Sequence, residues 1–224
     1  MSVLILVRHG QASFGAAHYD QLSDTGREQA RCTGRWLRER YAKGGFVILS
    51  GPRNRHLETA AEIVSAAGLP QPAERIAALD EFAEGEEILA AATNLFGRPM
   101  QGEGAPPRPE QLRSYAEAYQ AWAHGDLEIP GRASWLTFRE GVGAWLREVL
   151  ADTPAGSRIV AVTSAGVIAA AVCETLGLSN AQWLSMVGLT HNTGLTEIVF
   201  SPGRVNLRSF NGAGHLPAHL SSSI

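Results

Sequence analysis

Residues Leu4-Ile5-Leu6-Val7 form an unbroken apolar run that stops at Arg8-His9-Gly10. A short continuous apolar run bounded by glycine predicts a strand buried on both faces, here over residues 3–7. Similar runs predict strands over 46–50, 75–79, 159–163, 195–200 and 205–210, the last two joined by the Ser201-Pro202-Gly203 turn. Between them the period lengthens. Ala30, Thr33, Trp36, Leu37 and Tyr41 keep the three-to-four spacing of one buried helical face, with Ser23 or Asp24 as the cap. Gly51-Pro52 turns into a helix reaching about residue 67, stopped by Gly68-Leu69-Pro70. Residues 83–123 are helical but broken by a Gly/Pro-rich loop over 97–109, and Tyr115, Tyr119 and Trp122 read as core. Leu136, Phe138, Val142, Trp145, Leu146 and Val149 form the inward stripe expected of a helix over 134–150. A further helix is expected over 164–176. Strands alternating with helices predict an α/β fold with a mainly parallel sheet covered on both faces. The tail from Asn211 is polar and either folds back or frays.

Composition narrows the class. The chain has 224 residues, 45% hydrophobic and 18% charged, which suits one globular domain with a sizeable core. A formal charge of −3 advertises no broad basic surface, so no nucleic-acid partner is expected and any attraction for phosphate must be local. Cys32 and Cys173 lie in separate helical patterns without metal-ligand spacing and are expected to be free, buried thiols. No signal peptide and no apolar run of about 18 residues is apparent, so the expectation is a cytoplasmic protein without a membrane partner.

The chemistry gathers at the end of the first strand. Ligands of open α/β sheets bind at the carboxyl ends of strands, where Arg8 and His9 fall. Arginine presents a planar fork of donors that matches phosphate oxygens, and a neutral imidazole is a nucleophile near pH 7. If one ring nitrogen of His9 attacks phosphorus, the other must donate, and a nearby backbone carbonyl is the expected acceptor. His18, His124 and His219 show no ligand pattern, so no metal and no cofactor is assigned.

Leu6-Val7-Arg8-His9-Gly10 resembles the signature of the histidine phosphatase superfamily, the phosphoglycerate-mutase-like proteins. Leu22-Ser23-Asp24-Thr25-Gly26-Arg27-Glu28-Gln29-Ala30 is similar to its Leu-Thr-x-x-Gly-x-x-Gln-Ala block. Residues 50–60, Ser-Gly-Pro-Arg-Asn-Arg-His-Leu-Glu-Thr-Ala, resemble its Ser-Ser-Pro-Leu-x-Arg-Ala-x-x-Thr-Ala block. Val162-Thr163-Ser164-Ala165-Gly166-Val167-Ile168 stands where the family carries Val-Ser-His-Gly-Gly-Val-Ile. The resemblance runs from Leu4 to about Leu216 and is weakest over 87–132. It implies a three-layer α/β/α fold, phosphoglycerate mutase-like, as a single domain over 1–224 with a helical insertion at about 83–132.

The resemblance also implies roles. His9 is the nucleophile that forms a phosphohistidine, and Arg8 and Arg55 clamp the phosphate. Arg53 is the rival for the second arginine, but the register Ser-x-Pro-x-x-Arg-x-x-x-Thr-Ala favours Arg55. Glu81, in a Leu-x-Glu context, is the candidate acid and base, with Asp80, Glu84, Glu86 and Glu87 as rivals. Ser164 stands where the family has a second histidine, so it can donate one hydrogen bond but supplies no charge. Losing such a donor commonly costs roughly 10²–10³ in rate, which implies slow turnover. His56 and His191 are the nearest candidates to substitute for it. Gln11 and Asn192 are further expected phosphate contacts, whereas Gly15 stands where many relatives have a phosphate-binding asparagine. His215-Leu216 resembles a structural closing His-Leu pair.

Three functions follow. The first is a cofactor-independent phosphatase acting on a small phosphorylated substrate. The second is a phosphoglycerate mutase, against which Glu81-Phe82-Ala83-Glu84-Gly85 replaces the Glu-Arg-x-Tyr-Gly of glycolytic relatives. The third is a non-catalytic phospholigand-binding protein, favoured by Ser164 and opposed by the retained His9. The remaining partner considered is a second copy of the chain, in a homodimer.

Overall fold

The computed structural model describes residues 1–13, 20–41, 45–70 and 73–223. The expectations for Phe14, Gly15, His18, Tyr19, Lys43 and Gly44 lie outside the described residues. The strands are β1 (Ser2–Arg8), β2 (Val47–Ser50), β3 (Glu74–Arg75), β4 (Arg158–Thr163), β5 (Leu195–Ser201) and β6 (Arg204–Gly212). The helices are α1 (Asp24–Arg40), α2 (Asn54–Ala67), α3 (Gly85–Phe96), α4 (Arg108–His124), α5 (Trp135–Asp152), α6 (Ala165–Leu176) and α7 (Asn180–Val187). They fall into two compact units, one of Met1–Asp80 with Val142–Ile224 and one of Glu81–Gly141.

The first unit holds a six-stranded sheet in the order β3-β2-β4-β1-β5-β6. The β1–β4, β2–β4 and β2–β3 pairs are parallel, and the β1–β5 and β5–β6 pairs antiparallel, so the sheet is mixed but mostly parallel. The apolar run therefore lies at the sheet centre. Val3, Ile5 and Val7 share one core with Ala30 and Leu37 of α1 and Ala60 and Ile63 of α2. Side chains alternate faces along a strand, so Leu4 and Leu6 point the other way, and both are fully buried. On that side α6 packs against β1 and β6, with Ala169, Ala170, Ala171 and Cys173 wholly enclosed. This is why α6 is apolar nearly all round. Cys173 is buried as expected, whereas Cys32 on α1 is only partly covered.

Local chemistry sets the element ends. Ser23 caps α1, its Oγ accepting from Gly26 N at 3.0 Å, and Arg38 and Arg40 close the last turn where the helix dipole favours cations. A Cβ on Gly26 would collide with the Gln11 backbone, and one on Gly10 with Gly26 O. The loop after β1 thus rests directly on the first turn of α1, at two positions that admit only glycine.

Three expectations change. Residues 75–79 are not a strand: after the two residues of β3 the chain closes into a 3₁₀ turn, Ala77–Leu79, with Asp80 N donating to Ala77 O at 3.0 Å. Ala77 and Ala78 carry no β-branch to hold a pleat there. Helix α7 adds to the elements expected, and Ser179 followed by Gln182 is its capping-box signal; Ser179 N donates to Gln182 Oε1 at 3.0 Å. Leu136 is 67% exposed, because the inward stripe of α5 starts on Trp135 and continues through Phe138 and Val142.

The second unit is built on aromatic packing. The rings of Phe82 and Trp122 stack at 4.3 Å, and Tyr119, Trp135 and Phe138 surround them. Arg132 forks onto Glu87 with two 2.8 Å contacts. Phe82 and Phe138 belong to this cluster, their rings meeting edge-on at 5.7 Å. Among the described residues no helix is long and apolar enough to cross a membrane.

Candidate active site

His9 leaves the carboxyl end of β1 under firm backbone control. Its N–H donates to Thr163 O at 2.8 Å, and its carbonyl accepts from Asn192 Nδ2 at 3.2 Å. Gly10 N donates to Thr59 Oγ1 at 3.0 Å, which ties the loop to α2. The ring is buried, and Nδ1 lies 2.7 Å from Gly10 O. A carbonyl only accepts, so Nδ1 carries the proton and Nε2 keeps its lone pair. Burial holds the ring well below its ordinary pKa, and the charges of Arg55 and then Arg8 push it further down; the Gly10 bond opposes this weakly. His9 is therefore a neutral imidazole with a bare Nε2 at neutral pH.

Arg8 and Arg55 both act on that ring through their charge. One Arg8 nitrogen donates to Thr190 O and, at 2.8 Å, to Ser223 O. Arg55 is buried, and its guanidinium meets Asp20 Oδ1 at 2.8 Å. Asp20 also accepts from Asn54 N at 2.9 Å, capping α2 and fixing Arg55 at that helix start. Arg53 instead turns its Nε to Asp80 Oδ1 at 2.5 Å. Sequence reasoning missed Asp20, which stands in no periodic pattern and pairs across 35 residues.

Ser164 sits at the start of α6, with Oγ 2.6 Å from His56 Nε2. Of the two histidines weighed as substitutes, His56 is the one brought to Ser164. Thr163 Oγ1 is occupied with Leu79 O at 2.7 Å. Asn192 and Gln11, expected as phosphate contacts, also make hydrogen bonds within the protein. Asn192 Oδ1 accepts from Ser222 Oγ at 2.9 Å while its amide N–H holds His9 O. Gln11 Oε1 accepts from Ser23 Oγ at 2.9 Å, at the cap of α1. The tail folds back: Gln29 Nε2 donates to Leu220 O at 2.7 Å and to Ser222 Oγ at 2.8 Å. Glu81 opens the second unit, its Oε1 accepting from Phe82 N at 3.1 Å, and it follows a 3₁₀ turn rather than the strand expected. Among the described residues no cluster of three or more His, Cys, Asp or Glu is placed to hold a metal.

Two buried imidazoles, His9 and His56, and a half-buried one, His215, give the fold an acid sensitivity. Burial is the leading cause in each: His9 and His56 are held well below 6.5 and His215 is lowered to about 4. In the unfolded chain all three protonate near 6.5, so below that pH the unfolded state binds more protons. Their contribution is complete above 6.5 and is lost progressively as pH falls toward the folded-state values. His215 alone removes at most ~2 kcal/mol by pH 5. Thermal unfolding should therefore occur at least ~4 °C lower at pH 5.0 than at pH 7.5, as followed by circular dichroism; an unchanged midpoint would refute the neutral assignment.

A family model described as histidine phosphatase superfamily (branch 1) matches residues 4–88 and 102–212. Among solved structures, a phosphoserine phosphatase variant from Entamoeba histolytica, in complex with phosphoserine, is similar at 21% identity and a TM-score of 0.68, covering 97% of this chain and 100% of its own. A mycobacterial glucosyl-3-phosphoglycerate phosphatase, solved with inorganic phosphate, is similar at 23% identity and a TM-score of 0.67, covering 96% and 99%. At these identities the likeness is one of fold. No curated protein matches the sequence.

Proposed function

The chain belongs to the histidine phosphatase superfamily, and from that premise we propose that it hydrolyses a small phosphate monoester through a phosphohistidine on His9. The observation that carries this reading is the tautomer of His9: Nδ1–H is committed to Gly10 O, so Nε2 is available to attack. Nε2 forms a bond to phosphorus as the ester P–O bond breaks. Arg8 and Arg55 offset the charge that develops on the phosphoryl oxygens. Glu81, in its acid form, gives a proton to the departing alkoxide, and as a carboxylate then takes one from the attacking water. The P–N bond breaks, inorganic phosphate leaves and the ring returns neutral. Splitting one displacement into two in this way is the use of a covalent intermediate. Similar folds bear the names of phosphatases for phosphoserine and glucosyl-3-phosphoglycerate, which supports a small phosphorylated metabolite as substrate.

The test is a quenched reaction with p-nitrophenyl phosphate between pH 5 and 8. The expected result is release of p-nitrophenol together with an acid-labile, base-stable phosphoryl group on the peptide that carries His9. Turnover with the phosphoryl group on another residue would overturn the reading, and so would the absence of turnover.

A further inference from the structure

Gly51, His56 and Ser164 depart together from the motif blocks, which carry serine, alanine and histidine at those positions, and the three meet in space. His56 is fully buried, and its Nε2 lies 2.6 Å from Ser164 Oγ. Its Nδ1 is also buried and makes no hydrogen bond among the described residues. A buried N–H without an acceptor costs more than a buried bare lone pair, so the ring proton belongs on Nε2. His56 thus donates and Ser164 Oγ accepts, which leaves the serine O–H proton for another acceptor. The Ser164 side chain makes no cap bond to α6 that would use it. The His56 ring is 5.7 Å from the His9 ring, centre to centre. Glycine at 51 makes the arrangement possible, because a Cβ there would collide with His56 Nδ1.

We propose that His56 and Ser164 form one divided phosphate contact, in which Ser164 donates its O–H to the phosphoryl group held at His9 and His56 is the positioning residue that aims it. The inference rests on the phosphatase reading above. Two residues then do what a single histidine at 164 does in the motif. Burial, with the charges of Arg55 and Arg53, keeps the His56 ring neutral, so the pair supplies a directed donor and the arginines supply the charge.

The experiment is a double-mutant cycle read in two ways, as kcat for p-nitrophenyl phosphate and as affinity for orthovanadate. Ser164→Ala should lower kcat by about 10²-fold and His56→Ala by about tenfold or more, with KM moving less than kcat. The double variant should be no worse than Ser164→Ala, because His56 acts only through the serine. His56→Gln keeps a donor of similar reach and should recover most of the loss. Orthovanadate affinity should weaken in the same order. Wild-type kcat and orthovanadate affinity in His56→Ala, or losses that multiply in the double variant, would overturn the divided contact and leave the phosphatase reading intact. A wild-type protein that binds orthovanadate with this coupling but releases no p-nitrophenol would overturn the phosphatase reading and leave the contact standing. If His56→Ala does not fold, the comparison of His56→Gln, Ser164→Ala and their double variant decides the question.

Discussion

Replacing His9 by alanine is expected to reduce p-nitrophenyl phosphate turnover by at least about 10⁴-fold, to background. The imidazole is the only group in this reading that bonds to phosphorus, so no neighbouring residue shares its task. The fold should survive the change. The backbone bonds that fix this turn, from His9 N to Thr163 O and from Asn192 Nδ2 to His9 O, do not involve the ring. Removing a buried ring that resists protonation should also reduce the acid sensitivity of the fold. A folded His9→Ala protein with wild-type turnover would eliminate His9 as the nucleophile.

Arg55→Met is the second large effect. A placed guanidinium on a transferring phosphoryl group is commonly worth 10³ or more, so kcat/KM should fall by roughly 10³-fold. Arg55→Lys should recover little, because a single ammonium cannot hold Asp20 and also present a planar fork to a phosphoryl group. A pH profile separates this role from a structural one. Arg55 is the largest charge lowering the His9 pKa, so its loss should move the acid limb of kcat/KM to higher pH. Asp20→Asn, which keeps the guanidinium, should cost far less. Equal losses in the two variants, with no movement of the acid limb, would reduce Arg55 to a support for the cap of α2.

The parts legible in the sequence were those written in local patterns. The apolar run of β1, the stripe and Ser23 cap of α1, and the glycine after His9 announce themselves within a few residues. Other features depend on residues far apart in the chain. His56 was visible as a histidine, but Ser164, which gives it a purpose, lies 108 residues away. Asn192 holds His9 O across 183 residues, a pairing that no local pattern announces. The strand expected over 75–79 failed because two alanines and a leucine fit a 3₁₀ turn as well as a pleat. Leu136 failed by one step of about 100° around α5.

The placement of β1 between β4 and β5 has a cost during synthesis. A ribosome makes the most apolar strand of the sheet first, yet its neighbours begin at Arg158 and Leu195. At 5–20 residues per second the nascent strand waits roughly 8–40 s for a partner on either side. Throughout that interval its unpaired edges are open to pairing with another newborn chain, a hazard set by strand order alone.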